Sequence, residues 1–220
     1  MAAPHLDGEV DAQAGVGTAC MQRGEHAQSA SDALRDEQHL VVLSGLIGSG
    51  KSSFAAAVVE TWPELWVRCN QDEMGNRRTV YAAARRALQE GKNVLIDRTN
   101  IDRGQRADWL VLARARRLVT SLLFFDTPVE LCRARLWARR DHPTIRTPQD
   151  AFRVLAMFRG SLVYPSAERP EGFDTMLVLH AAALPRLGVD RAGDAAYLRT
   201  VLMRLFAAVQ PRGGEVGGGE

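Results

Sequence analysis

The stretch "HLVVLSGLIGSGKSSF", from His39 to Phe54, limits this chain more than any other. A continuously apolar run is followed by Gly45-Leu-Ile-Gly-Ser-Gly-Lys51-Ser52, which fits G-x-x-x-x-G-K-[ST] at every fixed position, and then by a helical pattern. Strand, glycine-rich turn and helix in that order form an anion cradle. The glycines let successive backbone N–H groups converge, and the following helix adds its positive N-terminal end. In such a loop Gly45, Gly48, Ser49, Gly50 and Ser53 frame the phosphates, Lys51 reaches the β and γ phosphates, and the Ser52 hydroxyl is a ligand for Mg²⁺. The cofactors expected are ATP and Mg²⁺. Lys51 is one of only two lysines in a chain that otherwise uses arginine. A compact ammonium on a thin stem suits a crowded loop interior better than a planar guanidinium.

The same alternation continues downstream. Apolar runs at Leu65–Asn70, Asn93–Asp97, Val119–Asp126 and Asp174–Leu179 are separated by helical patterns at Arg78–Gly91, Arg103–Arg117, from Pro128, and after Thr147, a plausible N-cap. Continuously apolar strands between helices indicate a parallel sheet covered on both faces. The expected fold is therefore α/β, a P-loop NTPase-type three-layer sandwich with a mostly parallel five-stranded sheet and a helical lid. Ligands of such sheets bind beyond the carboxyl ends of the strands. The polar residues that follow each strand, at 45–52, 70–72, 97–100 and 126, fall there together. Residues 1–37 lack periodicity and are expected to be a disordered leader. The core domain is expected over 38–180, a helical extension over 181–210 (with a helix near Ala192–Val209), and a glycine-rich disordered tail over 211–220.

The net charge of +2 is unevenly distributed. Residues 1–37 carry −5, whereas 68–146 hold sixteen arginines and Lys92 against nine acids, a balance of +8. A positive segment beside a phosphate motif suggests a polyanionic substrate; its plain alternative is a set of solvated helix faces. No apolar run is long enough to span a bilayer, and three scattered cysteines suit a reducing compartment, so a cytoplasmic or nuclear location is expected. No N-K-x-D guanine-reading motif occurs, and no D-x-D-x-T phosphatase signature is present.

"NVLIDRTNIDRGQRADWLVLAR" (93–114) resembles the D-x-T-N…R…W segment of P-loop polynucleotide 5′-hydroxyl kinases. "CNQDEMG" (69–75) is similar to that family's N-x-D segment, and "FFDTPVELCRARLWARRDHP" (124–143) to its arginine-bearing lid helix. The resemblance implies an ATP-dependent phosphotransferase whose partners are DNA or RNA 5′ ends. It implies that Asp72 accepts the proton of the attacking hydroxyl, where the residues alone leave a helix N-cap open. Asp97 becomes a Mg²⁺ carboxylate of the second shell, and Arg139, with less support Arg135, a lid arginine on the transferring phosphoryl group. Arg77 and Arg78 are expected to meet acceptor phosphates, Thr99 and Asn100 to shape their loop and touch substrate, and Arg106 to help bind the acceptor. Trp109 reads as packing. Arg98 and Trp137 depart from the pattern, which has asparagine and a polar residue there. Two alternatives remain open: a small-metabolite kinase like the gluconate, shikimate or adenylylsulfate kinases, and a nucleotide-binding module without catalysis.

Overall fold

The computed structural model describes residues 37–114, 116, 118–138, 147–166, 171–181, 187 and 190–207. The leader and tail expectations, and Arg139, fall outside them. Five strands, β1 (His39–Ser44), β2 (Trp66–Asn70), β3 (Asn93–Asp97), β4 (Val119–Asp126) and β5 (Thr175–His180), form one sheet in the order β2-β3-β1-β4-β5. Every pairing is parallel. Seven helices accompany them among the described residues: α1 (Lys51–Thr61), α2 (Gln71–Met74), α3 (Arg77–Gln89), α4 (Arg103–Arg114), α5 (Val129–Ala138), α6 (Pro148–Ser161) and α7 (Arg191–Phe206). This is the expected α/β P-loop architecture, with the central strand β1 feeding the phosphate loop.

β1 and β3 are buried along their whole length, which explains why they read as unbroken apolar runs rather than alternating ones. One face of the sheet packs on α3 and α4 through Val80, Ala84, Leu88, Trp109 and Leu112. A separate cluster of Leu46, Cys132, Leu136, Ala151 and Leu155 ties α5 and α6 to the phosphate loop. α7 buries Leu198, Val201, Leu202 and Leu205; its Phe206 ring stacks on His39 at 3.8 Å and parallel to Trp66 at 6.4 Å.

The helix boundaries have local causes. Asn70 caps α2 by accepting from Glu73 N, Asn76 caps α3 by accepting from Thr79 N, and Thr147 caps α6 by accepting from Asp150 N. The cap before α2 is thus Asn70, and Asp72 stands inside the first turn. Cys69 and Cys132 are buried thiols, each pushed up to about 11 chiefly by loss of solvent. No described helix is long and apolar enough to cross a membrane.

Candidate active site

The phosphate loop leaves β1 at Gly45, whose φ of +141° and close approach to β4 admit no side chain: a Cβ there would lie 2.8 Å from the Phe125 carbonyl oxygen. Gly48 is equally constrained, with φ +77° and the Cys132 carbonyl oxygen 2.8 Å from a Cβ. Helix α5 therefore presses directly on the loop. Thr127 donates to Ser49 O at 3.1 Å, and Arg135 donates to Gly48 O at 3.4 Å and Ser49 O at 3.2 Å. These bonds occupy loop carbonyls. With its carbonyls held, the loop's N–H groups remain the side presented to an anion.

Lys51 is buried, and its ammonium donates to Gly45 O at 2.9 Å, Leu46 O at 2.7 Å and Ser49 Oγ at 3.2 Å. Burial pulls its pKa down to about 8, against the opposing pull of the charges of Asp97, Cys132 and Asp72. Ser52 follows at the start of α1 and donates to Asp97 Oδ1 at 3.2 Å. Ser53 is exposed on the next helical position.

Asp97 is buried at the carboxyl end of β3, with its second oxygen held by Arg68 Nε at 2.8 Å and Asn70 Nδ2 at 2.7 Å. Arg68 also donates to Glu73 Oε1 at 2.7 Å. The side chain of β2 thereby joins the β3 carboxylate to α2, the helix that carries Asp72. Arg68 was not singled out in the sequence, because one arginine inside an apolar strand carries no motif. Glu73 is committed to this pair, while Asp72 beside it is exposed and contributes to the field at Lys51.

The β3–α4 loop is built around Asn100. It has φ +43° and is fully buried; its amide donates to Leu43 O at 2.7 Å and accepts from Trp109 Nε1 at 3.0 Å. Thr99 O accepts from Gly45 N at 3.0 Å, fixing this loop to the phosphate loop. Asn100 thus shapes its loop, but its buried side chain leaves no surface for substrate contact. Trp109 is fully buried, as its packing role predicts.

Arg106 requires a correction. It is 0% exposed, pairs with Glu171 through Nε and Nη2 (2.7 Å each), and donates to Asn100 O at 3.0 Å and Val163 O at 3.0 Å. A guanidinium with its hydrogen-bonding forks filled from inside the protein is a strut and has none left for an acceptor. Glu171 lies 65 residues away, which is why sequence reasoning did not connect them. On the rim, Arg78 is exposed and Arg77 pairs with Asp108 at 2.6 Å, both in the first turn of α3.

Lys51, Ser52 and Asp97, with Asp72 within electrostatic reach of Lys51, thus gather where the phosphate loop meets the ends of β2 and β3. The model of the AAA domain family matches residues 40–159, over half the chain, and the chain belongs to that family. Parallel sheet, phosphate loop and following helix together make a P-loop fold of the nucleotide-binding type. The chain is 30% identical over 139 residues to a protein of Schizosaccharomyces pombe named bifunctional polynucleotide phosphatase/kinase, covering 63% of this chain and 32% of that one. It is 33% identical over 116 residues to Transcription factor bHLH140 of Arabidopsis thaliana, covering 50% and 13%. The chain therefore spans a third or less of the length of these relatives. A solved fungal RNA kinase shares the fold, with a TM-score of 0.63 at 15% identity, over 77% of this chain and 87% of that one. The likeness to P-loop polynucleotide kinases read from the "DRTN" and "NQDE" segments is borne out.

Proposed function

We propose that the chain is an ATP-dependent kinase of polynucleotide 5′-hydroxyl ends. The observation that carries this reading is the placement of Asp72 on the short helix beyond β2. That helix is coupled through Glu73, Arg68 and Asp97 to Ser52 of the phosphate loop. Donor and acceptor machinery are thereby parts of one hydrogen-bonded chain.

The loop N–H groups and Lys51 would bind the β and γ phosphates, with the ammonium moving from the loop carbonyls onto phosphate oxygens. Asp72 orients the 5′-hydroxyl and takes its proton as the new P–O bond forms and the bond to the β-phosphate oxygen breaks, releasing ADP. The neighbouring oxygens of Ser52 and Asp97 suit a hard cation, with the nucleotide phosphates completing its ligands. Mg²⁺ bound there would neutralise charge on the phosphates. Arg68 and Asn70 hold the second Asp97 oxygen, so the first faces Ser52. Arg135 braces the loop from behind, and the transferring phosphoryl group is assigned to Arg139. Arg77, Arg78 and Thr99 line the acceptor side, and the +8 balance of residues 68–146 supports a polyanionic acceptor.

The test is transfer of labelled γ-phosphate to 5′-hydroxyl DNA and RNA oligonucleotides, set beside gluconate, shikimate and adenylylsulfate. We expect transfer to oligonucleotide ends, lowered roughly 10²–10⁴-fold in Asp72→Asn with nucleotide binding kept. Transfer only to a small alcohol, or to nothing while nucleotide is bound, refutes the reading.

A further inference from the structure

The proposed reaction does not use the outer flank of α5. Around this helix Cys132 and Leu136 form the buried stripe, with Arg135 on one side of it, turned to the phosphate loop. On the other side, four residues apart and so on one face, stand Arg133 and Trp137. Trp137 is 64% exposed, although its indole stacks on Phe152 of α6 with ring centroids 6.1 Å apart and planes 14° from parallel. The Arg133 guanidinium lies over the same Phe152 ring, 4.6 Å from its centroid. Two helices thus present a prearranged aromatic pair flanked by a cation. One face of the largest side chain is left to solvent.

A tryptophan left mostly in solvent is unfavourable by its apolar area alone, and here the ring is held against Phe152 rather than folded away. The surrounding charge narrows the occupant. Among the described residues, α5 and α6 carry Arg133, Arg135, Arg153 and Arg159 against Glu130 and Asp150, which opposes a cationic partner and favours a polyanion. Aromatic planes beside arginines are the sequence-tolerant device by which proteins hold unpaired bases. α6 also runs from this platform to Ser161, and just beyond its end Val163 bonds to Ile101 and to Arg106 beside the β3–α4 loop. The platform and the acceptor side of the site are therefore linked by one helix.

We propose that Trp137, backed by Phe152 and Arg133, is a stacking platform for an unpaired base of a single-stranded polynucleotide, at a distance from the 5′ end that undergoes transfer. This rests on the proposed acceptor class, but not on transfer itself. A strand long enough to reach the platform binds more tightly than a short one, irrespective of sequence.

Binding is measured by tryptophan fluorescence and by anisotropy of labelled oligothymidylates of 3 and 15 nucleotides, with ADP present and without turnover. Trp66 and Trp109 are buried and Trp62 is half-buried, so quenching on strand binding reports mainly on Trp137. We expect quenching with the 15-mer and not the 3-mer. Trp137→Ala should weaken the 15-mer roughly tenfold while leaving the 3-mer unchanged, from the usual worth of one stacked base. Trp137→Phe, which keeps a stacking plane, should restore most of the affinity. Equal affinity of wild type and Trp137→Ala for the 15-mer overturns the proposal. So does a concentration-dependent rise in mass by sedimentation that Trp137→Ala abolishes, which would make the ring a contact between copies. Failure of phosphate transfer with length-dependent quenching intact would instead count only against the catalytic reading.

Discussion

Lys51 offers a proton-linked test of the phosphate loop. Without nucleotide its ammonium is shut into the loop, and its pKa falls from 10.5 to about 8 because burial outweighs the neighbouring carboxylates. That difference corresponds to about 3 kcal/mol of penalty on the charged form. Between about pH 8 and 10.5 the unfolded chain keeps the Lys51 proton and the folded chain releases it. Stability of the nucleotide-free protein therefore gains from this group as pH rises through that window. Polyphosphate beside Nζ reverses the balance by favouring the ammonium. At pH 8 about half the nucleotide-free molecules lack the proton, so binding should take up about half a proton, and close to none at pH 6.5. The assay is calorimetric titration with ADP in buffers of different ionisation enthalpy, at pH 6.5, 8 and 9, with uptake growing along the series. Denaturant unfolding of Lys51→Met without nucleotide should lose the extra stabilisation between pH 8 and 10. No proton uptake at either pH 8 or 9, together with identical pH slopes for wild type and variant, would refute the argument that burial controls this lysine.

Two further outcomes concern the fold. Arg106→Leu leaves the buried Glu171 carboxylate with only the longer contact to Arg103 at 3.5 Å, so urea unfolding should show a loss of about 3 kcal/mol, accompanied by weaker rather than selectively altered acceptor binding. His39 is buried against Phe206, neither ring nitrogen has a hydrogen-bond partner, and its pKa is pushed down to about 4. As pH falls from 6.5 towards 4 the unfolded chain takes up a proton that the folded chain refuses. Stability should therefore fall by about 3 kcal/mol over that range, and His39→Phe should flatten this part of the acid limb.

The strands, their parallel pairing and the cradle were legible because each depends on a local pattern. β3 and β4 have the bounds their apolar runs indicate, and Gly45 to Ser52 announces a loop whose glycines have little steric alternative. Helix α2 escaped notice, since four residues show no periodicity and its cap, Asn70, reads as the end of a strand. The roles of Arg68 and Arg106 were illegible for a different reason. A charged residue reads as surface unless its partner is known, and both partners come from other elements: Asp97 lies 29 residues from Arg68, and Glu171 lies 65 from Arg106. Asn100 was half legible. Its position in the "DRTN" segment marked the loop correctly, while the burial of its amide depends on Leu43 and Trp109.

The strut at Arg106 also anchors one end of a helix pair. Because Val163 is bonded on both its N–H and its carbonyl, the chain leaving α6 is pinned to Ile101 and Arg106 beside the β3–α4 loop. The opposite end of the α5–α6 pair rests on the phosphate loop through Arg135 and Leu136. A helix pair fastened at one end to the phosphate loop and at the other to the β3–α4 loop ties two walls of the site together.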